Sequence, residues 1–260
     1  VLRGVAMKLM RLSLAWCALL LSAPRAAAEP GAGDVPPTWP DPIDDDAHYG
    51  FLLIDRLEYS DNEGPNTLGW EALGWLGGDV NRLWLNTEGR QRLEGAGREI
   101  ERLDVSFGRL IAPYWDLQMG VGTQRIDGPG PDAERYSVLA SLVGLAPGWF
   151  EVDANVRLSD AGGVSANLEA EYDLLLTQRL VLQPRFETAV AGERVSAFGV
   201  GEGLNSVVLG LRLRYEIRRQ LAPYVGLEWT RKYGETADLA RAENEAVADT
   251  ALVAGLRLWF

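Results

Sequence analysis

The sequence predicts an all-β fold: a transmembrane antiparallel up-and-down β-barrel of about twelve strands. Three observations predict it. From Tyr49 to Phe260 apolar and polar residues alternate with period 2, the period at which successive strand side chains point to opposite faces. The alternating runs are about ten residues long, the length a tilted strand needs to cross a bilayer. The connections switch between short and long, as they do when turns line one rim of a barrel and loops the other.

Composition decides little by itself. The chain has 260 residues, 47% hydrophobic and 24% charged. A soluble domain can look like this, and so must a membrane barrel, because every second strand residue faces a polar interior. The formal net charge of -12 argues against nucleic acid, whose phosphates need a basic surface. It leaves cationic partners such as metal ions open.

Residues 1–28 read as a signal peptide. Met7-Lys8-Leu9-Met10-Arg11 gives a positive start, Leu12 to Ser22 an apolar core, and Ala26-Ala27-Ala28 a small-residue cleavage site before Glu29. Residues 1–6 read as sequence upstream of the start. The apolar run is too short to span a membrane as a helix. The single cysteine, Cys17, lies inside it, so export leaves no disulfide and no thiolate ligand. Residues 29–48 are rich in Pro, Gly and Asp without an apolar period, which reads as a flexible periplasmic lead-in. Residues 49–260 are the barrel.

Strands are expected, within a few residues, at 49–59, 67–76, 81–89, 99–111, 114–126, 134–145, 149–159, 164–176, 179–191, 205–217, 222–232 and 249–260. The alternation is clearest in the second half. Phe150, Val152, Ala154, Val156 and Leu158 oppose Glu151, Asp153, Asn155 and Arg157; Val164 through Leu176 oppose Ser165, Asn167, Glu169, Glu171 and Asp173. Leu209, Leu211, Leu213, Tyr215 and Ile217 oppose Gly210, Arg212, Arg214 and Glu216. In the last strand Leu252, Ala254, Leu256 and Leu258 form the greasy face. Val253, Gly255, Arg257 and Trp259 form the other. Only a closed sheet satisfies every backbone group in hydrocarbon.

The short connections are 77–80, 112–113, 146–147, 177–178 and 219–221; the longer polar ones are 60–66, 89–98, 127–133, 160–163, 192–203 and 233–248. With an even strand number, both ends of the chain lie on the periplasmic side. A weak repeat, Ala112-Pro113-Tyr114, Ala146-Pro147-Gly148-Trp149 and Ala222-Pro223-Tyr224, sets Ala-Pro beside an aromatic at short turns. Proline suits a turn because it cannot donate to the ladder, and the aromatics suit the membrane interface.

The expected lumen carries Glu88, Glu151, Asp153, Glu169, Glu171, Asp173, Glu187, Glu216 and Glu228 among Arg157, Arg185, Arg212, Arg214 and Arg257. Such charges must be paired or solvated, since a bare buried charge is costly. They read as a structural ion-pair network; the alternative is a cation path lined by surplus carboxylates. A candidate metal site is Asp44-Asp45-Asp46 with His48, the chain's one histidine, because carboxylates and imidazole suit copper(II) and zinc. A solvated acidic loop is the plain alternative. No enzyme is expected, because acyl transfer needs a nucleophile with a histidine base and His48 precedes the barrel.

The terminal phenylalanine resembles the sorting signal of bacterial outer-membrane barrels. More specifically, residues 52–59 (LLIDRLEY), 77–89 (GGDVNRLWLNTEG), 112–120 (APYWDLQMG), 145–153 (LAPGWFEVD), 168–185 (LEAEYDLLLTQRLVLQPR), 209–222 (LGLRLRYEIRRQLA), 233–242 (YGETADLARA) and 252–260 resemble the copper resistance protein B family of Gram-negative outer-membrane proteins. The resemblance implies copper as the ion handled, and outer-membrane lipid, copper ions and periplasmic copper proteins as partners. It runs in order along nearly the whole barrel. Family members often carry a Met- and His-rich segment before the barrel, which residues 29–46 lack. Copper(I) prefers thioethers. The one methionine after the signal segment, Met119, alternates with Leu117 and Val121 and is expected to face lipid. Any copper binding is therefore expected to be weak.

Overall fold

The computed structural model describes residues 47–260 apart from 63, 95–96, 128–131 and 162. The residues read as a signal peptide, 1–28, and nearly all of those read as a lead-in, 29–46 of 29–48, lie outside the described residues. The described residues are mostly strand, in the order β1 (Tyr49–Asp61), β2 (Thr67–Gly77), β3 (Asn81–Arg92), β4 (Arg98–Ala112), β5 (Trp115–Asp127), β6 (Ala133–Ala146) and β7 (Phe150–Ser159). Then come β8 (Val164–Tyr172), β9 (Leu174–Leu175), β10 (Leu180–Ala191), β11 (Gly203–Tyr215), β12 (Leu221–Lys232) and β13 (Ala248–Trp259). Segments β8 and β9 pair with the same strand, β10, and make one wall interrupted at Asp173. The walls therefore number twelve.

Every sequential pair is antiparallel, and β1 closes on β13 with Leu53 opposite Trp259 and Leu57 opposite Leu256. The ring has no free edge, so backbone donors and acceptors are satisfied within the sheet. Alternation sets the faces. On β11, Leu209, Leu211 and Leu213 are exposed while Arg212 and Arg214 are buried. On β13, Leu252 and Leu256 are exposed and Val253 is buried. Met119 faces out, as its neighbours require. A belt of exposed leucine and valine thus covers the outside, and the polar residues line the inside.

Short turns gather on one rim. Trp149 N–H donates to Ala146 O (3.1 Å) across Pro147 and Gly148, whose φ of 90° is the left-handed value a type II turn requires. Tyr114 and Trp149 flank these turns, largely exposed at 68% and 69%, as interfacial aromatics are. The third Ala-Pro pair behaves differently. The turn is made by Arg218–Leu221, so Ala222 and Pro223 are ladder residues opposite Arg257 and Leu256. The expected strand over 164–176 is interrupted where Asp173 leaves the ladder, and the one expected over 205–217 lies two residues earlier, at Gly203–Tyr215.

The long-loop rim holds structure that a period-2 reading passes over. A 3-10 turn, Ser196–Phe198, sits between β10 and β11, and a helix α1, Gly234–Ala242, between β12 and β13. The helix buries Thr236, Ala237, Leu239 and Ala240. Thr236 Oγ1 accepts from Gly201 N–H and Asn205 Nδ2, both at 2.9 Å, which ties the two loops together. A side chain at Gly201 would collide with Glu235, so the close approach needs glycine there. The joined loops reach other walls: Phe198 lies under the Arg135 guanidinium of β6, 4.4 Å from ring centroid to carbon. Glu245 binds Lys232 at 2.9 Å and Arg92 of β3 at 3.2 Å.

Inside, the walls are tied by charge. Arg212 of β11 makes a two-pronged bond to Glu58 of β1, Nε at 2.8 Å and Nη2 at 3.0 Å, and reaches Glu228 of β12 at 2.7 Å. Space for it comes from Gly226, where a Cβ would lie 2.9 Å from Arg212 Cγ.

Three outcomes follow from this architecture. Leu209→Arg, at the middle of β11 on the lipid face, should cost about 2–4 kcal/mol, read by urea unfolding in vesicles; a neutral result would remove the outward assignment. Arg212→Ala should cost about 3–5 kcal/mol by stranding Glu58, whereas exposed Asp61→Ala stays within about 0.5 kcal/mol; equal unfolding midpoints contradict the inward assignment. The hydrogen bond from Lys232 holds the Glu245 carboxyl below its usual range, with Arg92 adding to the effect. The clamp therefore contributes above the carboxyl's unfolded pKa and is lost as pH falls through the lower folded one. Amide protection across 233–247, taken relative to the intrinsic exchange rate at each pH, should fall in acid, and Glu245→Gln should remove that fall.

Candidate functional site

The candidate site is the mid-height of the lumen, where register stacks carboxylates in rows. Glu169 of β8 stands between Asp153 of β7 and Glu187 of β10; Glu171 stands between Glu151 of β7 and Arg185 of β10. Like charges directly opposite repel, so these rows need cations. On the other side a row runs across four walls: Arg56 of β1, Glu71 of β2, Glu88 of β3 and Arg102 of β4 stand opposite one another in turn, so an arginine at each end flanks two adjacent carboxylates.

Arg185 is the centre of the first group. Its side chain is 1% exposed, with Nε 2.6 Å from Glu169 and 3.3 Å from Glu171 and Nη2 3.2 Å from Glu187 and 3.8 Å from Glu71. Arg56 shares Glu71 from the other side through Nε (2.5 Å), and takes Glu88 at 2.9 Å and Glu228 at 3.9 Å. Gln183 donates to Glu171 at 2.9 Å, and Asn167 to Glu187 at 3.0 Å.

A second group lies between β4 and β7. Arg157 grips Asp104 with both terminal nitrogens, at 2.9 and 2.5 Å, and Arg102 joins Asp104 (2.8 Å) to Asp153 (2.9 Å). Asp104 is wholly buried. A third group sits toward the turn rim: Arg214 with Asp173 at 2.6 Å and Glu216 at 4.0 Å, and Arg257 with Asp55 at 2.7 Å and Asp173 at 3.9 Å.

The structure thus brings together Asp153, Arg157, Glu169, Glu171, Asp173, Arg185, Glu187, Arg212, Arg214, Glu228 and Arg257 in ion pairs. Glu216 lies just past β11 at the edge of the third group, and Glu151 stands in its row without an ion pair among the described residues. The sequence reading left out Asp55, Arg56, Glu58, Glu71, Arg102 and Asp104. On β4 the signal was present, since Leu103 and Val105 alternate with Arg102 and Asp104. On β1 a register shift between Ile54 and Leu57 breaks the period, so that Asp55 and Arg56 both find lumen partners.

His48 is exposed immediately before β1; Asp44, Asp45 and Asp46 lie outside the described residues. Among the described residues no group of three or more His, Cys, Asp or Glu is placed to hold a metal ion. In the lumen guanidinium groups stand between the carboxylates and keep them from converging on one point, although Asp55 Oδ1, Asp153 Oδ1 and Asp173 Oδ1 are buried without a hydrogen-bond partner. The donors there are oxygen only, with no thioether, thiolate or imidazole, and tight copper(I) binding does not fit them.

The family profile described as copper resistance protein B precursor (CopB) matches residues 48–260. The copper resistance protein B homolog of Pseudomonas syringae pv. tomato is 42% identical over 218 residues, 84% of this chain and 72% of that protein. Copper resistance protein B of Escherichia coli is 38% identical over the same shares. Among solved structures the NanC porin aligns with a TM-score of 0.51 and 9% identity over 80% of this chain and 98% of its own, which speaks for the barrel fold alone. Barrel and relatives agree on a Gram-negative outer-membrane protein, and the chain belongs to the copper resistance protein B family.

Proposed function

We propose that this outer-membrane barrel serves copper resistance by handling copper as cargo, binding the ion weakly and passing it out of the periplasm without catalysing a reaction. Family membership supports the copper part. The observation that carries the passage part is the local excess of carboxylate: Glu71, Glu169, Glu171 and Glu187 all stand within 3.8 Å of the single guanidinium of Arg185. Such a lumen attracts cations and repels anions. Its oxygen donors suit a hard or borderline ion held briefly better than a stored one.

The lead-in adds a collecting point in this reading. Asp44, Asp45, Asp46 and His48 would offer carboxylate and imidazole donors where the chain enters the barrel, and a periplasmic copper protein is the natural donor to them. A barrel without a metal role is the rival, and the absence of any three-donor cluster among the described residues favours it.

Two measurements separate these readings. Copper(II) titration of the refolded chain should show weak binding that falls on His48→Ala and falls further when residues 29–48 are removed. A strain lacking the protein should become copper-sensitive. No binding together with unchanged tolerance would leave the barrel without a metal role.

A further inference from the structure

The lumen is crossed as well as lined. In the ring of twelve walls β2 and β10 stand nearly opposite each other, five steps apart by the shorter way through β1, β13, β12 and β11. Glu71 of β2 and Arg185 of β10 nevertheless approach to 3.8 Å. Because Glu71 is also held by Arg56, and Arg185 by Glu169 and Glu171, one unbroken chain of charges runs from β1 across the interior to β8. The Asp104 group forms a second brace from β4 to β7, and Arg212 with Glu58 a third from β11 to β1.

The guanidinium groups are enclosed, while the four carboxylates around Arg185 keep 14–24% of their side-chain surface. The side chains of Arg185, Arg212 and Arg214 are 1%, 3% and 4% exposed, and Gln118 and Asp104 are as inaccessible. A wide water-filled channel would wet the guanidinium groups of its wall as well as the carboxylates. At the outer rim the joined loops, held by Arg135 and Arg92, add a cover.

We infer that the barrel in this state is sealed at mid-height, with Arg185 as the latch: an ion crosses only when the Arg185 guanidinium leaves Glu71. This goes to the regulation of the same lumen and rests on the reading of that lumen as a cation path. The seal is electrostatic. Guanidinium is tied to carboxylates on both sides of the gap, and either partner's loss opens the bridge at one place while leaving the rest of the network paired. Removing Glu71 frees the gap but keeps Arg185 on Glu169, Glu171 and Glu187. Removing the charge of Arg185 strands those carboxylates and opens a more cation-selective route.

The test is conductance in planar lipid bilayers with potassium chloride, using the refolded full chain. Folding is checked separately by heat-modified migration on gels. Wild type should stay closed, and Arg185→Gln and Glu71→Gln should each raise conductance several-fold, the former with stronger preference for cations. If Arg185→Gln does not fold, Glu71→Gln decides alone. Steady porin-like current from the wild type overturns the seal, and so does silence from folded Glu71→Gln. Copper tolerance of a deletion strain reads the copper proposal independently, so either can fail while the other stands.

Discussion

Hydrocarbon offers no hydrogen bonds, and that constraint governs this chain. Each backbone N–H and C=O of the strand segments that cross the bilayer must find its partner inside the sheet, so the sheet must close, and Leu53 against Trp259 is where it does. Closure gives every residue one of two surroundings. The outer one accepts leucine and valine; the inner one collects what the bilayer refuses. The charged lumen is thus a consequence of the fold before it is a feature of function.

What the chain does with that interior is specific to it. A barrel of this size could leave its charges to water. Here guanidinium and carboxylate groups join walls that are not neighbours, as Arg212 with Glu58 and Arg157 with Asp104 do. Ion pairs of this kind contribute little net stability against a hydrophobic filling, because desolvation offsets their attraction. Their effect is on shape and access: they hold the interior closed and leave a negative surplus around Arg185. The same pairing explains why a copper-family barrel offers no compact metal cluster among the described residues.

Much of this was legible in the sequence, for a physical reason. A strand's period is 2, and β7, β8, β11 and β13 display it clearly, so the residues that face inward and outward on them read directly. Legibility failed where the ladder is irregular. The shift in β1 hid Asp55 and Arg56, and the departure of Asp173 from its ladder divided one expected strand into β8 and β9. Helix α1 was passed over because nine residues in a polar loop carry a different period and bury small residues such as Ala237 and Ala240. Pairing across the lumen was beyond reach, since register fixes neighbours but not which side chains span the gap.

Neighbouring residues of one strand of this barrel meet two different media, lipid and lumen. Spin labels placed singly from Ala251 to Leu256 in the refolded protein, read by collision with oxygen in a bilayer, measure this most directly. Positions 252, 254 and 256 should be accessible to oxygen and 251, 253 and 255 protected, a strict period of 2. Uniform accessibility, or a period near that of a helix, would contradict the barrel.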